Sequence, residues 1–246
     1  MITFVTLSKN NENTIKKTFE STKEVAPHIL VDTGSTDATL EIAAHYPHVT
    51  VFKHPFTTYG EMRNLGAFYA NTDWIFALDS DEELTPDLQK ELTNISLESG
   101  TAYRVSSKNF YRGKEIKYSG WSPDYKFRLY NRNETSFTNR KVHENLNLTQ
   151  LSTKTLAAPL LHYSYDSVHD LLNKMDRYST LFAEEFVGKK KSSYGKAALK
   201  GVWTFWKTYI LKRGFLDGKE GLLIAKYNAQ TAFYKYIKLM EYNERL

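Results

Sequence analysis

The sequence predicts an α/β protein: a mixed, mainly parallel sheet flanked by helices, followed by a helical C-terminal extension. Three observations carry that expectation. Up to about residue 100, short apolar runs alternate with helical patterns, as in a doubly wound parallel sheet. From about residue 101, strand-like runs follow one another without long helices between them, so the sheet turns mixed. From Asp166 onward the pattern is helical, and the charge changes too. Residues 187–246 carry 13 Lys or Arg against 4 Asp or Glu, a net of +9, whereas residues 1–186 carry 20 against 24, a net of −4. The expected division is therefore a catalytic or binding domain over residues 1–165 and a basic helical region over 166–246.

Taken in order, ITFVTLS (2–8) reads as a buried strand, followed by a polar turn and the helical ENTIKKTFEST. HILVD (28–32) is a second strand, and GSTDATLEIAAHY starts a helix with Ser35 or Thr36 as its cap. VTVFKH (49–54) is a third strand, YGEMRNLGAFYA (59–70) a helix and WIFALD a fourth strand, apolar enough to be buried on both faces. In TPDLQKEL, Thr85 is the N-cap and Pro86 the first helical residue. TAYRVSSKNFYR, YKFRLYN and KTLAAPLLHYSY are the later strands.

The sequence has no cysteine, which excludes disulfides and thiolate metal sites and fits a reducing compartment. MITFVTLSKNNEN does not read as a signal peptide, and no stretch approaches the roughly 18 apolar residues of a spanning helix. A cytoplasmic protein is expected.

The functional signal is WIFALDSDEEL, where an apolar strand runs into Asp79, Asp81, Glu82 and Glu83. Because Thr85 and Pro86 already start the next helix, these acids are not needed as caps. Asp79 and Asp81 sit where a strand of an open α/β sheet ends, which is where such sheets bind ligands. Carboxylates at this spacing repel unless something positive lies between them, and a divalent metal carrying a phosphate meets that need.

TLSKNNEN after the first strand, VDTGSTD (31–37) after the second, MRNLG (62–66) and LDSDEE (78–83) together resemble the family 2 glycosyltransferases, whose catalytic domain is the nucleotide-sugar-binding GT-A fold. GWSPDYKFRLY, KVHENL, LLHYSY and GFLDGKEGLLIAKYNA are similar to the subgroup of bacterial lipopolysaccharide-core β-glucosyltransferases and related glycan-building enzymes. The resemblance implies that the backbone near Thr6, with Asn11 and Glu12, lines the nucleoside pocket, and that Asp32 contacts the base or ribose. Many relatives carry two acids before the Gly-Ser, and Asp32-Thr33 departs from that pattern. Gly34 permits the tight turn, and Ser35 to Asp37 read more simply as helix capping. Arg63 is expected to reach the diphosphate or to pair with Asp79. Asp79 is expected to contact the ribose, and Asp81 to ligate Mn²⁺ or Mg²⁺. His162 in LLHYSY would complete the metal site, although spacing alone reads it as a core histidine.

Inverting transfer also needs a carboxylate base opposite the leaving group. Glu144 in KVHENL and Asp124 in GWSPDYKFRLY are the two candidates, with Glu144 slightly favoured. Arg128, on the strand after Asp124, resembles the arginine that follows the acidic motif in many relatives. Trp121 is a candidate stacking platform for the acceptor sugar, or a core aromatic.

In YGKAALKGVWTFWKTYILKR, a helical projection puts Leu199, Val202, Trp203, Trp206 and Ile210 on one side and Lys196, Lys200 and Lys207 on an adjacent strip. That pattern suits a helix resting on anionic lipid at the inner face of the cell membrane, and equally a helix packed on the catalytic domain. Nucleic-acid binding has the charge but no motif, and no nucleic-acid partner is expected.

The expected activity is metal-dependent, inverting transfer of a hexose from a nucleotide diphospho-sugar, foremost a UDP-sugar, to a glycan or glycolipid in surface polysaccharide synthesis. The rivals are a same-fold transferase with a protein or peptide acceptor and a non-catalytic sugar-nucleotide-binding module; the intact DxD argues against the module.

Overall fold

The computed structural model of the protein describes residues 1–138 and 145–246. Its first elements are β1 (Ile2–Ser8), α1 (Ile15–Thr22), β2 (His28–Asp32), α2 (Thr39–Ala44), β3 (Val49–Lys53), α3 (Tyr59–Tyr69) and β4 (Trp74–Ala77). β5 (Glu82–Leu84), α4 (Pro86–Asn94), β6 (Thr101–Tyr111), β7 (Lys114–Ile116), β8 (Asp124–Asn131), β9 (Ser152–Thr155) and β10 (Leu160–Tyr165) follow. The chain continues through α5 (Val168–Phe186), α6 (Tyr194–Trp206), a π-helical turn (Lys207–Leu211), a 3₁₀ segment (Gly214–Asp217) and α7 (Lys219–Asn243).

The sheet order is β3-β2-β1-β4-β8-β6-β10-β5, with β7 and β9 both pairing with β6. β1 to β4 are parallel, so their carboxyl ends share one edge. β8 is antiparallel to β4, with Phe76 opposite Leu129, which brings the start of β8 to that same edge. The sheet is thus mixed and mainly parallel on one side, as expected. β5 and β7 are additions that three-residue segments could not announce. The single strand expected over residues 154–165 is two, β9 and β10, separated by Leu156–Pro159.

The chain forms two compact units. One comprises residues 1–108 and 124–162, the other residues 109–123 and 163–246, so 109–123 groups with the helical part. In the first unit, alternate residues of the central strands feed two cores on opposite faces. Phe4, Phe76, Leu129 and Leu160 join Leu84 and Leu88 on one face. Val5, Val31, Ile75 and Tyr130 join Met62 and Ala67 of α3 on the other. Gly66 is what lets α3 lie this close: a Cβ there would stand 2.3 Å from Val5 Cγ1 and 3.1 Å from Val31 Cγ2. The second unit packs Tyr111, Ile116, Leu171 and Ile224. Asp217 is buried there and accepts from Lys117 N at 3.0 Å, Tyr118 N at 3.1 Å and Ser119 Oγ at 2.8 Å.

His28, the first residue of β2, is fully enclosed. Its Nδ1 lies 2.9 Å from Thr22 Oγ1 and its Nε2 lies 2.8 Å from Thr6 Oγ1. Burial, with His48 nearby, pushes its pKa down to about 3 from 6.5. The unfolded chain therefore binds a proton below pH 6.5 that the folded chain refuses, so stability falls as pH drops from 6.5 toward 3. Urea titrations should show the His28→Gln variant losing less stability over that range, the difference approaching about 1 kcal/mol per pH unit. Parallel curves for the two proteins would overturn this.

Candidate functional site at the carboxyl edge of the sheet

Four elements converge where β4 ends. β4 delivers Asp79 in the turn that follows it, α3 presents Arg63, β5 begins with Glu82, and β8 carries Arg128. Arg63 Nη2 donates to Asp79 Oδ1 at 2.6 Å, and Arg128 Nη2 donates to both Asp79 Oδ2 and Glu82 Oε1 at 2.5 Å. Glu82 is fully buried, and Arg63 and Arg128 nearly so. Burial alone would raise the Asp79 pKa, but Arg128, Arg63 and Lys126 outweigh it and hold the carboxyl well below the usual carboxylate range. Arg63 also lies over the Phe137 ring at 5.2 Å.

Glu82 shapes the turn as well. Its backbone N–H donates to Asp79 O at 3.0 Å, and its Oε2 accepts from Asp79 N at 3.0 Å. Thr18 of α1 donates its hydroxyl to Ser80 O and Glu82 O at 3.1 and 2.8 Å. The DSDE segment is thus a tied turn with Asp81 at its tip. Asp81 Oδ2 stands 3.4 Å from His162 Nε2, because β10 pairs with β5 in the register that puts His162 opposite Glu82.

This geometry corrects one step of the sequence reading. The positive charge next to Asp79 is supplied by two arginines, and both its oxygens accept from them, so Asp79 requires no metal beside it. Asp81 and His162 supply one carboxylate oxygen and one imidazole nitrogen, a donor pair that suits Mn²⁺ or Mg²⁺ when phosphate oxygens and water complete the shell. Among the described residues there is no cluster of three His, Cys, Asp or Glu side chains that could hold an ion by protein ligands alone. The residues present therefore fit an ion that arrives with a phosphate ligand.

Thr6 is buried in β1, its hydroxyl donating to Leu78 O at 2.8 Å. Asn11 Oδ1 accepts from Ser8 Oγ and Lys9 N, and Glu12 Oε2 from Ala38 N at 3.0 Å. Asp32 is buried and accepts from Gly34 N and Ser35 N at 3.1 Å each. Gly34 has φ +104°, a conformation that favours glycine, with open space around the missing Cβ. Ser35 and Thr36 do not cap α2, which starts at Thr39. They bind Asn10 instead, and Asp37 takes the Thr39 and Glu12 N–H groups. The loops after β1 and β2 are therefore stitched together at the same edge as the DxD turn.

Asp124 opens β8 with its side chain about half exposed, 3.9 Å from Lys126 Nζ; the same amine is 3.8 Å from Glu82 and 4.0 Å from Asp79. Glu144 lies outside the described residues. Trp121 belongs to the second unit, where it stacks on Tyr165 at 5.3 Å and its carbonyl accepts from Asn109 Nδ2. Sequence reasoning missed Glu82 and Lys126 as members of the cluster. The alternation Asp124-x-Lys126-x-Arg128, which puts all three on one face of a strand, was the signal for Lys126. Asn64 of the MRNLG motif clamps Phe137 by two 2.9 Å backbone bonds, one in each direction.

A parallel sheet with this charged turn at its carboxyl edge and a mixed extension on one side defines a GT-A glycosyltransferase domain. The chain belongs to glycosyl transferase family 2, whose model matches residues 3–147. It is 29% identical over 255 residues to an uncharacterized glycosyltransferase of Rickettsia typhi, covering 97% of this chain and 86% of the relative. It is 24% identical over 246 residues to the lipopolysaccharide core biosynthesis glycosyltransferase LpsC of Rhizobium meliloti, covering 94% and 89%. Among solved structures it is similar to S. aureus TarS 1–349 in complex with UDP, at 15% identity and a TM-score of 0.48, over 99% of this chain and 91% of that one.

Arg128 holds the cluster together, so its loss leaves Asp79 and Glu82 short of compensation. Arg128→Met should cost about 3–5 kcal/mol in urea unfolding, and adding Glu82→Gln should recover part of that by removing one stranded charge. A double variant less stable than the single one would contradict this account.

Proposed function

We propose that this protein transfers a hexose, with inversion, from a nucleotide diphospho-sugar to a glycan or glycolipid acceptor in surface polysaccharide or lipopolysaccharide synthesis, with UDP-sugars the first donors to test. The observation that carries the reading is the Asp81–His162 pair beside the Arg63–Asp79–Arg128 cluster at the carboxyl edge of the sheet. The similarity to LpsC supports the acceptor class.

In this reading Asp81 and His162 hold Mn²⁺ or Mg²⁺, which when bound would offset the charge of the departing nucleoside diphosphate. Asp79 is a positioning residue: it orients Arg63 and Arg128 and fixes the turn from which Asp81 projects. Asn11, Glu12 and Asp32 shape the stitched loops that receive the nucleoside. Lys126, partly exposed beside Asp79 and Glu82, adds positive charge where a diphosphate would lie. The acceptor hydroxyl forms its bond to the anomeric carbon as the bond to the diphosphate oxygen breaks, and its proton passes to Asp124 or Glu144.

Calorimetric titration with UDP, GDP, dTDP and CMP, each with and without Mn²⁺, tests the donor site. One nucleotide should bind in a metal-dependent way, Asp81→Ala should abolish binding, and His162→Ala should weaken it. Metal-independent binding, or full binding by Asp81→Ala, would sink the proposal. For the base, one of Asp124→Asn and Glu144→Gln should lower kcat by about 10²–10⁴-fold while nucleotide affinity stays unchanged. If neither does, both assignments fail.

A further inference from the structure

A helix that packs on one neighbour ordinarily turns its large apolar side chains toward that neighbour and its small or polar ones outward. α6 does the reverse. Its inward stripe is small: Ala197 and Gly201 are buried, continued by Thr208 of the π-helical turn. A Cβ on Gly201 would stand 3.3 Å from Ala229 O and 3.4 Å from Phe233 Cβ of α7, so the two helices meet almost backbone to backbone. The outward stripe is large and apolar. Leu199 is 73% exposed, Trp203 57% and Trp206 54%, with Val202 and Ile210 exposed on the same side. Leu211, Phe215 and Leu216 are exposed just beyond.

The charge around this stripe is of one sign. Residues 187–216 include 8 Lys or Arg and no Asp or Glu. Lys200 and Lys207 are exposed on the strip next to the apolar row. Lys196 on the same strip donates to Lys191 O at 2.7 Å and lies 5.2 Å from the Tyr236 ring centroid. Among the described residues no helix is long and apolar enough to cross a membrane, so the row has the chemistry of a surface contact and not of a span.

We propose that this face of α6 and the following π-helical turn rests on an anionic lipid surface, with Trp203 and Trp206 at the boundary of headgroups and acyl chains and Lys200 and Lys207 among the lipid phosphates. Tryptophan beside lysine is the pairing such a boundary selects, since each side chain has an apolar body and a polar end. A second copy of the chain is the wrong partner for this face, because it would bring an equally positive strip against it. The inference goes beyond the donor chemistry and does not depend on it.

The test is flotation or co-sedimentation of the full chain with vesicles of phosphatidylcholine alone and of phosphatidylcholine with about 30% phosphatidylglycerol, at low and high salt. Binding should require the anionic lipid and weaken with salt. Lys200→Gln/Lys207→Gln should lower partitioning about tenfold or more at low salt. Trp203→Ala/Trp206→Ala should lower it by a similar factor at either salt. Brominated lipid should quench the tryptophan fluorescence of the unaltered protein, a readout that needs no variant to fold. No vesicle binding, equal binding to both compositions, or no quenching by brominated lipid would each overturn the proposal. So would a dimer in sedimentation velocity that Trp203→Ala/Trp206→Ala converts to monomer, since a second copy would then occupy the face.

Discussion

Two arginines and two carboxylates share a largely buried volume at the end of β4, and none of the four could stay charged there alone. Removing an ion from water costs several kcal/mol, and only close, well-bonded partners offset that cost. Asp79 has both oxygens bonded to guanidinium groups, and Arg128 bonds a carboxylate from each side of the turn. Since the four side chains come from α3, the DxD turn, β5 and β8, the cluster binds those elements to a common point. On the helix that carries Arg63, Gly66 lies one turn further on and lets α3 pack against Val5 and Val31.

This arrangement divides the work between the acids of LDSDEE. Asp79 and Glu82 both bond the arginines, and they close the turn with one backbone bond and one bond from Asp79 N to the Glu82 carboxylate. Asp81, at the tip, lies beside His162, and in the proposed function it is the acid that meets the metal. The turn that carries Asp81 is fixed by hydrogen bonds from Thr18, Asp79 and Glu82. The stitched loops after β1 and β2 extend the same principle along the edge. Asn10, Asn11, Glu12, Asp32 and Asp37 all use side-chain oxygens to fix backbone N–H groups.

The second unit is organised differently. Its polar anchor is Asp217, buried and bonded to the backbone and hydroxyl groups of residues 117–119, while α6 meets α7 through small side chains and leaves its own large ones outside. The basic residues of 187–246 all lie in the second unit, and those of α6 stand beside its exposed apolar row.

Much of this was legible in the residues themselves. Apolar runs of strand length, spaced by capped helices, determined β1 to β4, α3 and α4, because burial on both faces of a sheet leaves an unmistakable pattern and Thr85-Pro86 a local start signal. The DxD after WIFAL marked the strand end at which the charged turn forms. Tertiary structure alone decided which acids face inward. Glu82 reads like any polar residue until Arg128, 46 positions away, arrives from an antiparallel strand to bond it. His162 reads like a core histidine until the β5–β10 register sets it against Asp81. The apolar row on α6 was visible as a row, but whether it packs or stays exposed depended on which face the small residues Ala197 and Gly201 offered to α7. Periodicity records which residues share a face. Only the packed neighbours determine which way that face turns, because the energy of burying a charge or an aromatic ring depends on what waits on the other side.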